Sequence, residues 1–386
     1  MRTLWLTIYL PSFLVAAGQQ ALVVLIPLYA LALDGGTALA ASLTMCRGVG
    51  SMLINVPTGL LVARYGDKAV MSGALAAMAA AALLLSTVDE PWAVAMLVLV
   101  FGAGSGAWLT ARLAHISEAA PLAYRGRALA TLGGIQRVGL LVGPVGGGLL
   151  VTAFDYDVAF IVAGISALGS LLLIAVLASN QRPPLPAAGS RPLHGLYRLV
   201  IEHRHTLATA GMATLGLAIL RSSRQLLIPI WGALVGLDEA TIGFTFMVSS
   251  VIEIAMSYPA GYIIDHKGHK FTAIPCFALL SISVAMLPWV NGFYSLLALA
   301  MLAGLGNGFG AGIIMTLGSD YAPANQRGQF LGVWRMLGDG GLVAGPLVIG
   351  IVAEVVSLSV ASLAVAGLGV AAMLLMAFIA REPRRE

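Results

Sequence analysis

Residues 59–68 read GLLVARYGDK, and residues 261–270 read GYIIDHKGHK. Both stretches begin with glycine, have a second glycine seven residues later and end on lysine, and they lie 202 positions apart. The same offset recovers matching glycines and prolines across most of the chain, without gaps. Examples are Pro27 with Pro229, Gly102 with Gly304, Gly106 with Gly308 and Pro144 with Pro346. We therefore predict two copies of one structural unit, related by pseudo-symmetry.

The composition indicates the solvent in which these two copies fold. The chain is 59% hydrophobic and only 10% charged, whereas a soluble domain carries about 25% charged residues. A helix needs about 20 mostly apolar residues to cross a bilayer, and we count twelve such stretches, six in each copy. The predicted spans are 4–33, 37–63, 69–87, 92–117, 125–151, 158–179, 206–235, 239–264, 271–289, 293–319, 328–354 and 357–380. The predicted fold class is an all-α membrane protein with two six-helix bundles.

The spans define three segments. We predict an N-terminal bundle over 1–179, a linker over 180–205 and a C-terminal bundle over 206–386. Because six is an even number, both copies enter the membrane in the same direction, which makes this a parallel repeat. Apolar residues at helical spacing predict a short amphipathic helix within the linker. The first span is interpreted as a helix rather than a signal peptide, because Leu25-Ile26-Pro27 recurs as Leu227-Ile228-Pro229.

Charge in the loops predicts the orientation. The loops on one side contain Arg and Lys, including Arg64, Lys68, Lys267 and Lys270, whereas the opposite loops contain acidic residues and no Lys or Arg. The positive-inside rule then places both termini and the linker in the cytoplasm, for a multi-pass protein of the cell (inner) membrane. The net charge of +4 is explained as an orientation signal, and we expect no nucleic-acid binding.

The stretch at 59–68 and its repeat resemble the loop signature of the major facilitator superfamily of secondary transporters. Twelve spans, two six-helix copies and a basic linker match that superfamily over the whole chain. The resemblance implies that Asp265, with Arg64 and Lys68, forms ion pairs or gates at the cytoplasmic side. Ala63 replaces the signature Asp in the first copy. The alternative is that these residues are orientation charges around a tight turn.

The fifth span contains Gly139, Gly143 and Pro144, which resemble a motif in the drug and proton antiporters of this superfamily. Glycines four residues apart let two helices approach closely, and a proline permits a bend. The resemblance favours export over import. Helix packing alone is the alternative, because Gly341, Gly345 and Pro346 repeat the pattern. An arginine that such exporters often have in the fourth span is replaced by Val98.

Ionisable residues inside a membrane are costly and usually face a partner or a wet cavity. Polar and charged side chains within the spans are therefore our candidates for the transport site. The predicted proton-coupling residues are Glu253 and Asp339. The predicted substrate-binding residues are Gln19, Gln20, Arg47, Arg137, Arg221, Arg224 and Gln225.

Two hypotheses compete for these charges. In the functional one, an excess of arginine attracts an anionic or zwitterionic substrate while Glu253 or Asp339 titrates. In the structural one, Arg335 pairs with Asp339 four residues later, and Arg47 or Arg137 pairs with Glu253. Arg112 and His115 are weaker candidates, and we expect them to extend to the interface.

The sequence predicts a secondary active transporter that works by alternating access and acts as a monomer. The favoured function is proton-coupled export of a small amphipathic or anionic compound. Uptake or exchange of an organic anion is one alternative, and a non-transporting membrane sensor is another. We expect no cofactor, no metal and no enzymatic activity. The expected partners are a small-molecule substrate, protons and the lipid bilayer.

Overall fold

The computed structural model describes residues 5–119, 125–179, 199–323 and 326–379, and the regular structure in these ranges is helical. Six helices follow one another in the first half. They are α1 (Trp5–Ala32), α2 (Gly36–Tyr65), α3 (Asp67–Leu85), α4 (Pro91–Ala119), α5 (Arg125–Ala153) and α6 (Tyr156–Leu177). Most of the predicted linker lies outside the described residues, although residues 199–202 are helical.

The second half repeats the pattern with one difference. Its elements are α7 (Met212–Leu234), α8 (Glu239–Lys267), α9 (Lys270–Met286), α10a (Phe293–Phe309), α10b (Ile313–Tyr321), α11 (Arg327–Val355) and α12 (Leu358–Leu374). The tenth predicted span, 293–319, corresponds to the candidate span Phe293–Tyr321, but its helix is not continuous. The helix is interrupted at Gly310–Gly312, where Gly312 has a φ of +81°, a conformation that glycine adopts without strain.

Eleven spans in the described ranges are long and apolar enough to cross a membrane, when α10a and α10b are counted together as Phe293–Tyr321. Helix α7 is not among them, because its 23 residues are long enough but less apolar. Its hydropathy is lowered by Arg221, Arg224 and Gln225, which share one face at spacings of three and four residues. The seventh span is thus the amphipathic one, as expected of a helix that lines a polar site.

The helices form two compact units. The first comprises α1–α6 together with Gly232–Met247, which is the end of α7 and the first turns of α8. The second comprises α7 up to Trp231 and the chain from Val248 onward. The bundle boundaries at 179 and 206 stay a prediction.

Small residues fix the packing in the first unit. A Cβ at Gly139 would lie 2.5 Å from the Cβ of Ala16, and one at Gly143 would lie 2.5 Å from the Ala17 carbonyl oxygen. Helix α5 therefore packs against α1 through the glycine motif of the fifth span. In the second unit, α11 packs against α7 in the same way, since a Cβ at Gly341 would lie 2.5 Å from the Ala218 Cβ.

A second glycine contact also recurs with the 202-residue offset. A Cβ at Gly102 would collide with the carbonyl oxygen of Arg47, and one at Gly304 would collide with that of Ser249. The corresponding residues, Arg47 and Ser249, are related by the repeat, so α4 packs on α2 as α10a packs on α8. These close contacts fix the position of Arg47 on α2 relative to α4 and of Ser249 on α8 relative to α10a.

Candidate functional site

The polar face of α7 is the centre of the site in the second unit. Arg224 is 6% exposed, and its two terminal nitrogens each lie 3.4 Å from Oε2 of Glu253 on α8. The Glu253 side chain is 21% exposed, so this carboxylate is accessible although it is paired. The sequence predicted Arg47 or Arg137 as its partner; in the structure the pair of Glu253 is with Arg224.

The other arginine of α7 reaches the interruption in the tenth helix. Nη2 of Arg221 donates a 2.8 Å hydrogen bond to the carbonyl oxygen of Gly310. This oxygen lies at the C-terminal end of α10a, where helix carbonyls lack intrahelical partners and carry partial negative charge. Gly310 leaves room for this contact, because a Cβ would lie 2.5 Å from Sγ of Cys276 and 2.7 Å from the Arg221 guanidinium.

Polar atoms remain available around this contact. Nε of Arg221 and Oδ1 of Asn307 are both buried and make no hydrogen bond within the described structure. A buried polar group without a partner costs about 1–3 kcal/mol, so these atoms are suited to bind a ligand or water. Sequence reasoning did not select Asn307.

Glycines also hold Glu253 in place. A Cβ at Gly308 would lie 2.9 Å from the Glu253 carbonyl oxygen and 2.6 Å from the Met256 Cβ. One turn earlier along α8, the hydroxyl of Ser249 donates a 2.6 Å hydrogen bond to the Ala300 carbonyl oxygen. The carboxylate is therefore mounted on two tightly packed helices, and its position relative to α7 is well defined.

The first unit contains the counterpart of this site without its charges. Gln19 on α1 donates a 2.6 Å hydrogen bond from Nε2 to Oγ of Ser105 on α4. The offset relates Gln19 to Arg221 and Ser105 to Asn307. Gln20 is half-buried beside Gly143, and Arg47 is half-buried on α2. At the position of Gln19 the first unit is thus neutral, whereas the second unit has the cation Arg221.

The remaining candidates within the spans are more exposed. Arg137 is exposed on α5, and Gln225 is half-buried on α7. Nε of Arg335 lies 3.7 Å from Oδ2 of Asp339, so the ion pair that the four-residue spacing predicted is present. Arg335 is 46% exposed and Asp339 is 23% exposed. Both side chains are thus partly accessible although they are paired.

The loop signature forms a turn in both copies. Gly66 and Gly268 occupy equivalent positions with φ of +91° and +97°, which only glycine adopts readily. Arg64 is exposed, with its Cζ 5.3 Å from the centroid of the Tyr65 ring, and Asp265 is exposed as well. The amide of Lys68 donates to Oδ1 of Asp67 at 2.6 Å. We call the end of each unit that carries these loops the basic end.

The buried carboxylate at the basic end of the first unit is Asp67, which is 1% exposed. Its Oδ2 lies 2.7 Å from Nδ1 of His115 on α4. The expectation that Arg112 and His115 extend to the interface was wrong, because both are 2% exposed. Arg112 instead lies over the ring of Trp108, at 5.4 Å from the centroid, which is a cation–π arrangement.

The second unit contains the same type of pair with the residues exchanged. His269, which the offset relates to Asp67, lies 3.4 Å from Oδ2 of Asp320 on α10b. The loop thus supplies the acid in the first copy and the base in the second. Sequence reasoning missed both pairs. The exchange at positions 67 and 269 was the available signal, but it does not predict the partners, because His115 and Asp320 are not related by the offset.

A comparison with protein-family models decides the family. The Major Facilitator Superfamily model matches this chain twice, over residues 8–234 and 213–386. The chain belongs to the Major Facilitator Superfamily. Members of this superfamily are transporters, and the apolar helices make this chain a multi-pass membrane protein. The predicted fold class is therefore confirmed.

Individual relatives of this superfamily member are distant. Multidrug resistance protein MdtL of Escherichia coli O81 (strain ED1a) is 24% identical over 257 residues, which are 65% of this chain. The chain spans 64% of the length of that curated relative. A mutant form of the nucleoside transporter NupG superimposes with a TM-score of 0.80 at 16% identity, covering 98% of this chain and 99% of that one.

A further solved structure has the same fold and contains a different ligand. A POT family transporter in complex with 5-aminolevulinic acid gives a TM-score of 0.76 at 10% identity, over 97% of this chain and 95% of that chain. At such identities the likeness shows the fold alone. Among the residues that the structure describes, no cluster of three metal-ligating side chains occurs.

Proposed function

We propose that this chain is a proton-coupled secondary transporter that exports a small amphipathic compound by alternating access. The observation that carries the proposal is the Arg224–Glu253 pair, a buried arginine bound to a partly exposed carboxylate. The likeness to a multidrug resistance protein and the glycine and proline motif of α5 support export. On this proposal the protein is a monomer in the inner membrane, with both termini in the cytoplasm.

The pair provides a physical basis for proton coupling. Glu253 can be neutralised by a proton, by Arg224 or by a positively charged group on the substrate. A cationic amphipathic compound that binds Glu253 competes with the proton for one carboxylate. Because Glu253 binds only one of them at a time, the transporter carries the compound in one direction and the proton in the other. This is exchange. Asp339, paired with Arg335, is the second proposed proton site.

The surplus of positive charge favours a second candidate, the uptake of an organic anion. Arg221 and Arg224 face one carboxylate, and Nε of Arg221 lacks a hydrogen bond within the described structure. A carboxylate or phosphate can bind two guanidinium nitrogens at once. An anion that takes Arg224 leaves Glu253 unpaired and favours its protonation, so the anion and the proton would move together. Arg47, Arg137, Gln19, Gln20 and Gln225 are proposed to complete substrate binding.

Transport in everted membrane vesicles with an imposed pH gradient tests the proposal. Ethidium represents amphipathic cations, and carboxyfluorescein represents organic anions. We expect vesicles with an acidic interior to accumulate ethidium, and we expect Glu253→Gln to abolish this gradient-driven accumulation. Glu354→Gln is the matched control, because Glu354 is an exposed carboxylate near the end of α11, and it should transport normally.

The outcomes separate the candidates. Ethidium accumulation that persists in both Glu253→Gln and Asp339→Asn would contradict coupling through these carboxylates. Carboxyfluorescein that moves with protons, and not against them, would replace export by anion uptake. Specific binding of either dye without flux in any gradient would favour a membrane sensor.

A further inference from the structure

A groove opens on the first unit between α2 and α3, with α4 as its floor. Its volume is about 450 Å³, within the range of roughly 300–1,000 Å³ that is usual for small-molecule sites. It extends along the half of the helices next to the basic end, from Ile54 and Ala77 to Tyr65. This region takes no part in the transport site described above.

The lining of the groove is apolar. Its side chains are aliphatic or absent, apart from the phenol of Tyr65 at the basic end. Gly104 and Ala107 form the floor of the groove. The α3 residues along its side are small, which leaves the groove open. A ligand with hydrogen-bonding groups would find no partners for them in this lining. The occupant must therefore be an apolar chain.

Two cations are next to lining residues at the basic end of the groove, Arg64 before Tyr65 and Lys68 before Ala69. Arg64 lies against Tyr65, with its Cζ 5.3 Å from the ring centroid, and Lys68 lies in the first turn of α3. Asp67, the acidic residue between them, is turned inward and bound to His115. Its charge is thus engaged within the protein, so the two cations dominate the rim.

We propose that this groove is a binding site for an anionic glycerophospholipid. One acyl chain lies in the groove, and Arg64 and Lys68 bind the phosphate of the headgroup. Cations at the ends of membrane helices attract anionic headgroups, and their alkyl stems extend to the interface. The apolar interior and the basic rim together select an anionic lipid over a neutral one, and this site does not depend on the proposed transport function.

Gly73 allows the chain-binding part to be tested. It lines the groove, and a Cβ built on it meets nothing within 4 Å, so Gly73→Leu places a side chain in the groove. Gly169 on α6 is the matched control, because a Cβ there also meets nothing within 4 Å and the residue does not line the groove. Both substitutions replace a helical glycine with leucine.

The experiment measures lipid retained by the full chain after extraction from bilayers that contain equal amounts of phosphatidylglycerol and phosphatidylcholine with identical acyl chains. Native mass spectrometry counts the bound molecules. We expect the wild-type chain and Gly169→Leu to retain phosphatidylglycerol preferentially, and Gly73→Leu to lose it. The Arg64→Gln and Lys68→Gln substitutions should each reduce the preference by about fivefold.

Two results would overturn the proposal. Equal retention of phosphatidylglycerol by Gly73→Leu and wild type would show that the groove does not hold the chain. Retention of phosphatidylcholine as strongly as phosphatidylglycerol, in a manner that still depends on Gly73, would make the groove a general apolar site. A thermal unfolding curve for each variant verifies that the protein retained its fold.

Discussion

The two arginines on the polar face of α7 have different partners and therefore different roles. Arg224 is neutralised by Glu253, whereas Arg221 binds a main-chain carbonyl that has only partial negative charge. The site as a whole thus retains positive charge. Spacing on α7 predicted that Arg221 and Arg224 share a face. Their partners were not predictable, because they depend on where α8 and α10a lie, which is determined by packing at distant glycines.

The exchanged His and Asp pairs allow a prediction that depends on burial alone. Asp67 is 1% exposed, whereas Asp320 is 47% exposed on its side chain. Removing Asp67 leaves a buried ring nitrogen of His115 without this hydrogen bond, so Asp67→Ala should lower the free energy of unfolding by about 1–3 kcal/mol. Asp320→Ala removes an open pair and should cost less than about 1 kcal/mol. Thermal unfolding of the purified protein in detergent measures both.

A double-mutant cycle is the control for this difference. If the pair carries the effect, Asp67→Ala combined with His115→Ala should cost less than the sum of the two single changes. Additive costs would indicate that each side chain acts through separate contacts. Equal costs for Asp67→Ala and Asp320→Ala would contradict the role of burial.

At the scale of the element, glycines determine how closely the helices approach. A Cβ at Gly304 would collide with the Ser249 carbonyl oxygen, a backbone atom that cannot move by a side-chain rotation. We expect Gly304→Ala to destabilise the protein by about 1–3 kcal/mol, because overpacking displaces the backbone. The displaced helix is α8, so the Arg224–Glu253 distance should change as well. Thermal unfolding and gradient-driven transport are the measurements.

Gly332 on α11 provides the matched substitution. A Cβ there meets nothing within 4 Å, and alanine favours helix over glycine by up to about 1 kcal/mol. Gly332→Ala should therefore be neutral or slightly stabilising. Similar effects of Gly304→Ala and Gly332→Ala would indicate that helix propensity, and not the approach of α10a to α8, governs both positions.

The interruption of the tenth helix shows why element boundaries were only partly predictable. Hydropathy predicts a continuous apolar run, and the described helices otherwise begin and end within a few residues of the predicted spans. The interruption depends on Gly310 and Gly312, for which the first copy has Trp108 and Thr110. The hydropathy pattern does not reveal this substitution of residues, whereas an alignment of the two copies does. The interruption is also where Arg221 binds, so the missed feature belongs to the site.

At the scale of the whole molecule, the repeat relates contacts as well as residues. The Gly102 contact with Arg47 recurs as the Gly304 contact with Ser249, and the Gly139 contact with Ala16 recurs at Gly341. Apolar packing was therefore predictable from the duplication. The exchanged charges were not, because Asp67 and His269 are related by position and opposite in chemistry.

The orientation in the membrane is the prediction that rests on the whole chain. The basic ends of the units should face the cytoplasm, because Lys and Arg resist translocation. A background without Cys46 and Cys276 permits single cysteines at Thr87, which is exposed in the loop between α3 and α4, and at His266, which is exposed at the basic end of α8. An impermeant maleimide should label Thr87→Cys in intact cells and His266→Cys only in everted vesicles. Lysed membranes, in which both positions should react, control for access, and labelling of His266→Cys in intact cells would reverse the topology.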